Sequence, residues 1–235
     1  MKPIKLIIFD LDGTLLDTLA DLTSSVNHAM NCLQMPERTK EEVLSFIGNG
    51  NRVLMERCVR KGSLDGSSEE LTDLAVRKFH EYYSRHYADE TAAYPGILEL
   101  LAALKGQGLL LAVVSNKADY AVQDLCRKYF DGIFDFVLGD REGIRRKPSS
   151  DPVDLVLQAL HLTKEEAVYV GDSEVDIKTA ANAGLPCISV CWGFRTRKDL
   201  ISSGASVLIS SPKELPAAIA DCAAPLQTPK ALSVK

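Results

Sequence analysis

The sequence predicts an α/β protein: a doubly wound, Rossmann-like parallel sheet that carries an inserted all-helical cap. From about residue 94 onward, short apolar runs alternate with segments of helical periodicity, a pattern typical of parallel sheets covered by helices. Between about residues 17 and 92, helical patterns follow one another with no convincing strand between them. We therefore expect a core domain of residues 1–16 and 93–222, a cap of residues 17–92 and a flexible tail over 223–235.

The first strand ends in two acids. Ile4 to Phe9 is an apolar run that reads as a buried strand, and it leads directly into Asp10 and Asp12, with Gly13 next. The carboxyl ends of parallel strands are where open α/β sheets bind ligands. Two carboxylates held close there would repel each other unless a cation or a shared proton compensated their charge. The alternative is a surface Asp-Gly turn, but a turn does not require Asp10 and rarely follows so apolar a strand directly.

The other elements follow from periodicity and breaker residues. Ser211 and Glu214 have capping-box spacing and should open the last helix. Asp151 before Pro152 suits an N-cap followed by proline at the first helical position. The patterns predict helices over 17–33, 40–46, 51–61, 68–87, 98–104, 118–129, 152–160 and 174–183, and strands over 109–114, 134–138, 167–170 and 187–190.

The composition narrows the classes of function. A chain of 235 residues with 46% hydrophobic and 25% charged residues is an ordinary globular protein. Its net charge of −5 argues against nucleic-acid binding, and no apolar run approaches the length of a membrane span. There is no signal-peptide pattern, and the 6 cysteines lack metal-type pairing. We expect a cytoplasmic monomer or homodimer with reduced thiols and no nucleic-acid or membrane partner.

Polar residues at two later positions are candidates for the same edge of the sheet. Ser115 and Asn116 follow an apolar strand, and their hydroxyl and amide can donate hydrogen bonds to phosphoryl oxygens. Lys147, before Pro148, is a compact positive charge that suits phosphate. Taken alone, the first pair is more often an ordinary loop start and the lysine more often a solvated charge.

A second acidic signal follows the strand that ends at Gly171. Asp172 comes directly after that glycine, and Asp176 lies one helical turn further on. Hard cations such as Mg²⁺ prefer carboxylate oxygens, so Asp172 is a candidate ligand and Asp176 either ligates directly or orients a water. A helix N-terminus that favours acids would also explain Glu174, but it does not explain Asp172 on a buried strand.

The segment Phe9-Asp10-Leu11-Asp12-Gly13-Thr14-Leu15 resembles the signature of the haloacid dehalogenase-like hydrolases, in their phosphoryl-transferring branch. Ser115-Asn116, Lys147-Pro148 and Gly171-Asp172 resemble the three later motifs of that family in the same order. The resemblance implies a nucleophile, a general acid/base and a bound Mg²⁺, and further phosphate contacts from the signature and the second motif. By this resemblance, Asp10 is the nucleophile and Asp12 the general acid/base, and Ser115 and Lys147 complete the catalytic set. The phosphate is bound by Gly13, Thr14 and Asn116. The metal is held by Asp10, Asp12 (through its backbone carbonyl), Asp172 and Asp176.

The cap offers a weaker signal. Ile47-Gly48-Asn49-Gly50 resembles a cap loop of phosphoglycolate-phosphatase-like relatives, although a plain helix–helix turn explains it equally well. Asn49, Gly50 and Arg52 are therefore candidates for binding an anionic leaving group. The resemblance implies hydrolysis of a small phosphate monoester through an aspartyl-phosphate, with phosphoglycolate as the favoured substrate.

Other functions stay open. A sugar-phosphate mutase of the β-phosphoglucomutase kind would keep both opening aspartates, and a phosphatase of pyrophosphate or a sugar phosphate would share all four motifs. Relatives that cleave carbon–halogen or carbon–phosphorus bonds lack the second aspartate, so Asp12 disfavours them. A non-catalytic phosphoacceptor module is a more distant alternative, because it would not need a helical cap.

Overall fold

The computed structural model describes residues 3–62 and 68–223. The parallel α/β sheet predicted from the sequence is confirmed: six parallel strands lie in the order β5-β4-β1-β6-β7-β8, and a separate antiparallel pair joins β2 to β3. The strands are β1 (Leu6–Phe9), β2 (Leu16–Asp17), β3 (Ala92–Ala93), β4 (Leu110–Ala118), β5 (Phe136–Asp140), β6 (Ala167–Gly171), β7 (Cys187–Val190) and β8 (Val207–Ile209).

Ten α-helices accompany the strands in the described part of the chain. None of them is both long and apolar enough to cross a membrane. They are α1 (Leu19–Cys32), α2 (Lys40–Phe46), α3 (Asn51–Gly62), α4 (Glu69–His86), α5 (Ile97–Gly106), α6 (Asp119–Phe130), α7 (Asp151–Ala159), α8 (Glu174–Ala183), α9 (Arg197–Ser202) and α10 (Leu215–Ala223).

Strand β1 lies at the centre of the sheet and is covered on both faces. Ile7 and Phe9 point into an apolar cluster formed with α5, α6 and α10, whereas Leu6 and Ile8 point into a second cluster formed with α7 and α8. Side chains of a strand alternate between faces, so a strand that is buried on both sides has to be apolar throughout. This burial determines the position of β1, and Asp10, which follows the strand, therefore lies at the carboxyl edge of the sheet.

Helices α1 to α4 surround an apolar cluster of their own, built on residues such as Val26, Met55 and Phe79. The chain enters and leaves this helical segment through β2 and β3, which pair with each other. The buried carboxylate of Asp21 also accepts hydrogen bonds from the backbone N–H groups of Glu90 and Thr91, at 2.9 Å each. The two chain crossings are thus tied together beside the sheet.

Strand β4 differs most from its predicted bounds. It was expected to end at Val114, but it continues to Ala118, and its pairing with β5 shifts register between these two residues. Ser115, Asn116 and Lys117 are polar, which ended the apolar pattern in the sequence, yet all three are buried. Helix α1 begins at Leu19 instead of residue 17 because Leu16–Asp17 pair with β3.

Several smaller elements also differ from the sequence prediction. Ser150, and not Asp151, is the N-cap residue of α7, and the Asp151 carboxylate instead accepts hydrogen bonds from Arg145. The predicted capping box before the last helix is replaced by a 3₁₀ turn over Pro212–Glu214, after which α10 begins. The short elements α9 and β8 were not predicted, and the tail expected from residue 223 lies almost wholly outside the described residues.

Candidate active site

A cavity opens at the carboxyl edge of the sheet, between the ends of β1, β4 and β6 and the helices that precede β3. Its walls come from the sheet and from helices α1 to α4, because the loop before α3 lies beside the opening. The lining residues are Asp10, Asp12, Leu22, Ile47, Gly48, Gly50, Asn51, Leu54, Ser115, Asn116, Lys117, Lys147, Asp172, Ser173, Val175, Phe194 and Arg195.

Three buried carboxylates meet beside this cavity, and two of them, Asp10 and Asp172, line it. Asp10, Asp172 and Asp176 each offer an oxygen within 4.8 Å of the others. Lys147 Nζ lies 2.9 Å from Asp10 Oδ1 and 2.8 Å from Asp176 Oδ1. Three carboxylates against one ammonium leave an excess of two negative charges, and buried charge is costly unless it is compensated. A set of carboxylate oxygens with this excess fits a hard divalent cation.

The electrostatics of the acids follow from this crowding. Burial, reinforced by Asp176, raises the pKa of Asp10 well above its usual value, although Lys147 opposes the shift. Burial and Asp176 also raise the pKa of Asp172, to about 7. Burial alone would lower the pKa of Lys147, but its two acidic partners raise it well above the ordinary range. The lysine therefore stays charged, but one ammonium does not balance three buried carboxylates.

Asp176 is held on both of its carboxylate oxygens. Its Oδ2 accepts hydrogen bonds from the backbone N–H (3.1 Å) and the hydroxyl (2.7 Å) of Ser173, which closes a capping box at the start of α8. Its Oδ1 accepts from Lys147 at 2.8 Å. A side chain at position 171 would collide with the carboxyl group of Asp176, so the glycine of the Gly171-Asp172 pair allows this approach. Direct ligation of a metal by Asp176 stays a prediction.

Asp172 is fixed by a segment that the sequence reasoning overlooked. Phe194 N–H donates to Asp172 Oδ2 at 2.7 Å, and the Thr14 hydroxyl donates to Oδ1 at 3.2 Å. A Cβ atom at Gly193 would collide with the backbone oxygen of Gly13 and with Asp172. Gly193 and Gly13 therefore allow three chain segments to meet around one carboxylate. Gly13 and Thr14 lie behind Asp172 and do not line the cavity, so their predicted contact with phosphate stays a prediction.

The Asp12 carboxylate has partners of its own, separate from the acidic group. It accepts hydrogen bonds from Lys117 Nζ, at 2.8 and 3.0 Å, and from the Thr18 hydroxyl at 2.7 Å. Burial opposes the charge of Lys117, yet Asp12 raises its pKa above the ordinary value. The ammonium lies 5.0 Å from the ring centroid of Tyr83 in α4. Lys117 was missed although a lysine directly after Ser115-Asn116, in an otherwise apolar strand, has to find a partner.

Ser115 and Asn116 both line the cavity, and their contact with phosphate stays a prediction. The Asn116 amide donates to the backbone oxygens of Lys147 (3.0 Å) and Gly48 (3.2 Å). Its buried Oδ1 has no hydrogen-bond partner among the described residues. Asn116 thus connects the sheet edge to the loop before α3, and one of its acceptor sites remains available.

The predicted cap residues divide into two groups. Gly50 lines the cavity, together with its neighbours Gly48 and Asn51, but Asn49 contributes a backbone oxygen to Arg146 instead (3.3 Å). Arg52 does not line the cavity. Its guanidinium pairs with Asp73 and Glu69 on the surface of α4, and its side chain is 48% exposed.

Arg195 is a second cavity residue that the sequence did not indicate. It pairs with Glu174 at 2.9 Å, and its other nitrogens donate to the backbone oxygens of Leu44 (3.0 Å) and Ile47 (2.8 Å) at the end of α2. The last carbonyls of a helix have no partner within the helix and attract cations. Arg195, Asn116 and Arg146 therefore join the helical segment to the sheet edge at three points.

A parallel α/β sheet, a lysine-paired acidic cluster at its carboxyl edge and a helical segment beside the opening fit a hydrolase of the phosphoryl-transfer class. The sequence model of the haloacid dehalogenase-like hydrolase family matches residues 7–190, which is most of the chain. The protein belongs to this family, and the resemblance drawn from its motifs is confirmed.

Several members of this family are similar to the chain over nearly its whole length. A phosphoglycolate phosphatase of Mannheimia succiniciproducens is 34% identical over 204 residues, covering 85% of this chain and 91% of the relative. Phosphoglycolate phosphatase 1 of Pseudomonas aeruginosa is 32% identical over 214 residues, covering 90% and 78%. Among solved structures, a candidate phosphoglycolate phosphatase from Lactobacillus delbrueckii subsp. bulgaricus superposes with a TM-score of 0.86 at 38% identity, covering 93% of this chain and 99% of that one.

Proposed function

We propose that the protein is a Mg²⁺-dependent phosphatase of small phosphate monoesters, with 2-phosphoglycolate as its substrate. The observation that supports this chemistry is the cluster of Asp10, Asp172 and Asp176 with Lys147. Asp10, Asp172 and Lys147 line the cavity, and Asp176 is buried next to them. The choice of substrate is supported by the names of the relatives that align with nearly the whole chain.

Asp10 is the nucleophile in this proposal. Its carboxylate oxygen attacks phosphorus in line with the ester oxygen, so a bond from Asp10 to phosphorus forms as the bond to the leaving oxygen breaks. Water then attacks the phosphorus of the aspartyl-phosphate, which releases inorganic phosphate and restores the Asp10 carboxylate. Lys147, 2.9 Å from Asp10, and the Ser115 hydroxyl stabilise the charge on the phosphoryl oxygens.

Asp12 moves the protons. It donates a proton to the leaving alcohol oxygen in the first step and takes one from the attacking water in the second. Its carboxylate lines the cavity and is held by Lys117 and Thr18, apart from the three clustered acids. The side chain is therefore available for proton transfer and is not needed to bind the cation.

The metal site of this proposal consists of Asp10, Asp172, the backbone carbonyl of Asp12, and Asp176 either directly or through a water. Mg²⁺ bound by these groups would supply the positive charge that the buried acids lack. Phe194 and Thr14 keep Asp172 oriented for this task. Ser173 and Lys147 do the same for Asp176.

Residues 17–92 form the cap in this proposal, and residues 1–16 with 93–222 form the catalytic core. The contacts of Arg195, Asn116 and Arg146 with the loop before α3 hold the cap over the site. A site covered in this way has room for a compact metabolite and excludes a phosphoprotein or a nucleic acid. The substrate is accordingly a small phosphorylated compound.

The test is a Mg²⁺-dependent screen of phosphate release from 2-phosphoglycolate, sugar phosphates, pyrophosphate and nucleotides. The proposal predicts the highest kcat/KM for 2-phosphoglycolate and no turnover after the metal is chelated. A higher kcat/KM for another compound would overturn the choice of substrate. Conversion of β-glucose 1-phosphate to glucose 6-phosphate without net phosphate release would replace the hydrolase by a mutase.

A further inference from the structure

Three cationic side chains line the cavity in the described part of the chain, and only one of them has a role still to be explained. Lys147 is paired with Asp10 and Asp176 on the side where phosphate binds. Arg195 is paired with Glu174 and donates to the end of α2. Lys117 remains, with its side chain 3% exposed at the end of β4.

The surroundings of Lys117 hold its ammonium in one place. Asp12 accepts from it at 2.8 and 3.0 Å, and the Tyr83 ring lies on another side, with its centroid 5.0 Å away. Burying a charged lysine to this extent costs desolvation free energy, which a lysine paired with an acid at the surface does not lose. If its purpose were only to orient Asp12, the Thr18 hydroxyl at 2.7 Å already provides a neutral partner.

In the mechanism proposed above, Lys117 lies beside the leaving group, because its partner Asp12 is the residue that protonates the ester oxygen. Asp12 contacts the ester oxygen when it donates its proton, and Lys117 Nζ lies within hydrogen-bond distance of Asp12. In 2-phosphoglycolate a single methylene carbon separates the ester oxygen from the carboxylate. A cation that contacts the carboxylate of this substrate therefore has to lie next to the proton donor, where Lys117 lies.

We propose that Lys117 is the residue that recognises the carboxylate of the substrate and so selects an anionic leaving group. This inference rests on the function proposed above and deepens it. An ammonium has three donors, so it can bind a substrate carboxylate while it keeps a hydrogen bond to Asp12. Tyr83, which belongs to the helical segment and is itself buried, lies on another side of the ammonium.

Arg52 is the rival for this role, because the sequence placed it near the cap loop. The structure gives it a different environment: its side chain is 48% exposed and is paired with Asp73 and Glu69 on α4. An exposed pair of this kind contributes little and is easily replaced by water. The two assignments therefore make opposite predictions for the same pair of substrates.

The experiment compares 2-phosphoglycolate with 2-hydroxyethyl phosphate, which has the same backbone but a neutral end. Lys117→Met keeps the length and volume of the side chain and removes its charge. We expect kcat/KM for 2-phosphoglycolate to fall about ten- to a hundredfold more than kcat/KM for 2-hydroxyethyl phosphate. The loss common to both substrates measures the effect on Asp12, and the excess measures recognition of the carboxylate. Lys117→Arg should recover part of the excess, because it restores a positive charge.

Equal losses on both substrates would overturn the inference and leave Lys117 as a positioning residue for Asp12. An excess loss on 2-phosphoglycolate in Arg52→Met, with none in Lys117→Met, would assign the carboxylate to Arg52 instead. These failures differ from a failure of the proposed function, which the wild-type protein alone would show by preferring another substrate. Circular dichroism and binding of Mg²⁺ verify that each variant retains its fold.

Discussion

The ammonium of Lys147 lies 2.9 Å from the carboxylate of Asp10, and both side chains are buried. The same ammonium is shared with Asp176, so it cannot balance both acids. Asp172 adds a third carboxylate to the group. The site is therefore short of positive charge, and this shortage has consequences for stability, metal affinity and pH dependence.

Asp10→Asn should abolish turnover without unfolding the protein. Amide nitrogen and oxygen atoms cannot replace the attacking carboxylate, so we expect kcat to fall by about 10⁴-fold or more. The pKa of Asp10 is raised in the fold, which means that its ionised form is disfavoured there. The metal-free variant should accordingly melt no lower than the metal-free wild type at pH 7. Steady-state kinetics and thermal melts in a chelator test both parts, and retained turnover would exclude Asp10 as the nucleophile.

The raised pKa of Asp172 links stability to pH and metal. Its value of about 7, against an ordinary 3.8, means that the folded protein holds a proton that the unfolded chain has lost between these two pH values. The contribution of this group to the stability of the metal-free protein should therefore fall as the pH rises from about 4 to about 7. Mg²⁺ competes with that proton, so its affinity should rise over the same range and level off above pH 7.

Differential scanning calorimetry with and without Mg²⁺ measures this linkage. The increase in Tm caused by the metal should be larger at pH 8 than at pH 5.5. Asp172→Asn provides the control, since it should remove the part of the pH dependence that belongs to this carboxyl group. A metal-induced shift that is the same at both pH values would contradict the assignment of Asp172 to the cation site.

Gly193→Ala tests the close contact of three chain segments around Asp172. The added methyl group has no space beside the Gly13 carbonyl and Asp172, so the chain has to move. We expect a loss of about 1–3 kcal/mol in the free energy of unfolding and a weaker affinity for Mg²⁺. Gly106→Ala is the matched control, because nothing lies within 4 Å of its added atom, and it should leave both quantities almost unchanged. Equal effects of the two substitutions would show that the close packing around Asp172 does not depend on glycine at position 193.

Arg195→Met tests whether the helical segment is held to the sheet edge. The variant keeps an apolar chain of similar length but loses the donors to Leu44 and Ile47. Hydrogen exchange measured by mass spectrometry should become faster over residues 44–51, while the exchange of β1 and β6 stays the same. Arg60→Met, which removes only an exposed pair with Glu56, serves as the control. Unchanged protection over residues 44–51 would show that Arg195 does not hold this loop.

The parts of the fold that follow from local patterns were predictable. The apolar run before Asp10 and the one before Asp172 each required burial on two faces, which leads to parallel strands with their acids at one edge. The end of β4 was not predictable in this way. Its polar residues, Ser115 to Lys117, are compatible with a buried strand only because tertiary partners satisfy them.

The site was predictable where a motif concentrates several groups within a few residues. Three site residues were not predicted from the sequence, because their roles depend on partners that are distant along the chain. Lys117 depends on Asp12, Phe194 on Asp172, and Arg195 on the end of α2. Arg52 is the opposite case: it was selected because it is near the cap loop in the sequence, but its side chain does not reach the cavity. It is close to the cap loop along the chain, but its helix directs the guanidinium toward Asp73.

In the proposed mechanism, Asp10 carries the phosphoryl group between the two steps. The most direct measurement uses Asp12→Ala with p-nitrophenyl phosphate, whose leaving group departs without being protonated, followed by acid quench and mass spectrometry of the peptides. Because the second step lacks its base, we expect a burst of nitrophenolate equal to the enzyme concentration, and a phosphoryl group on Asp10. A phosphoryl group on any other residue, or a burst that persists when Asp10 is also changed to asparagine, would mean that Asp10 is not the phosphorylated group.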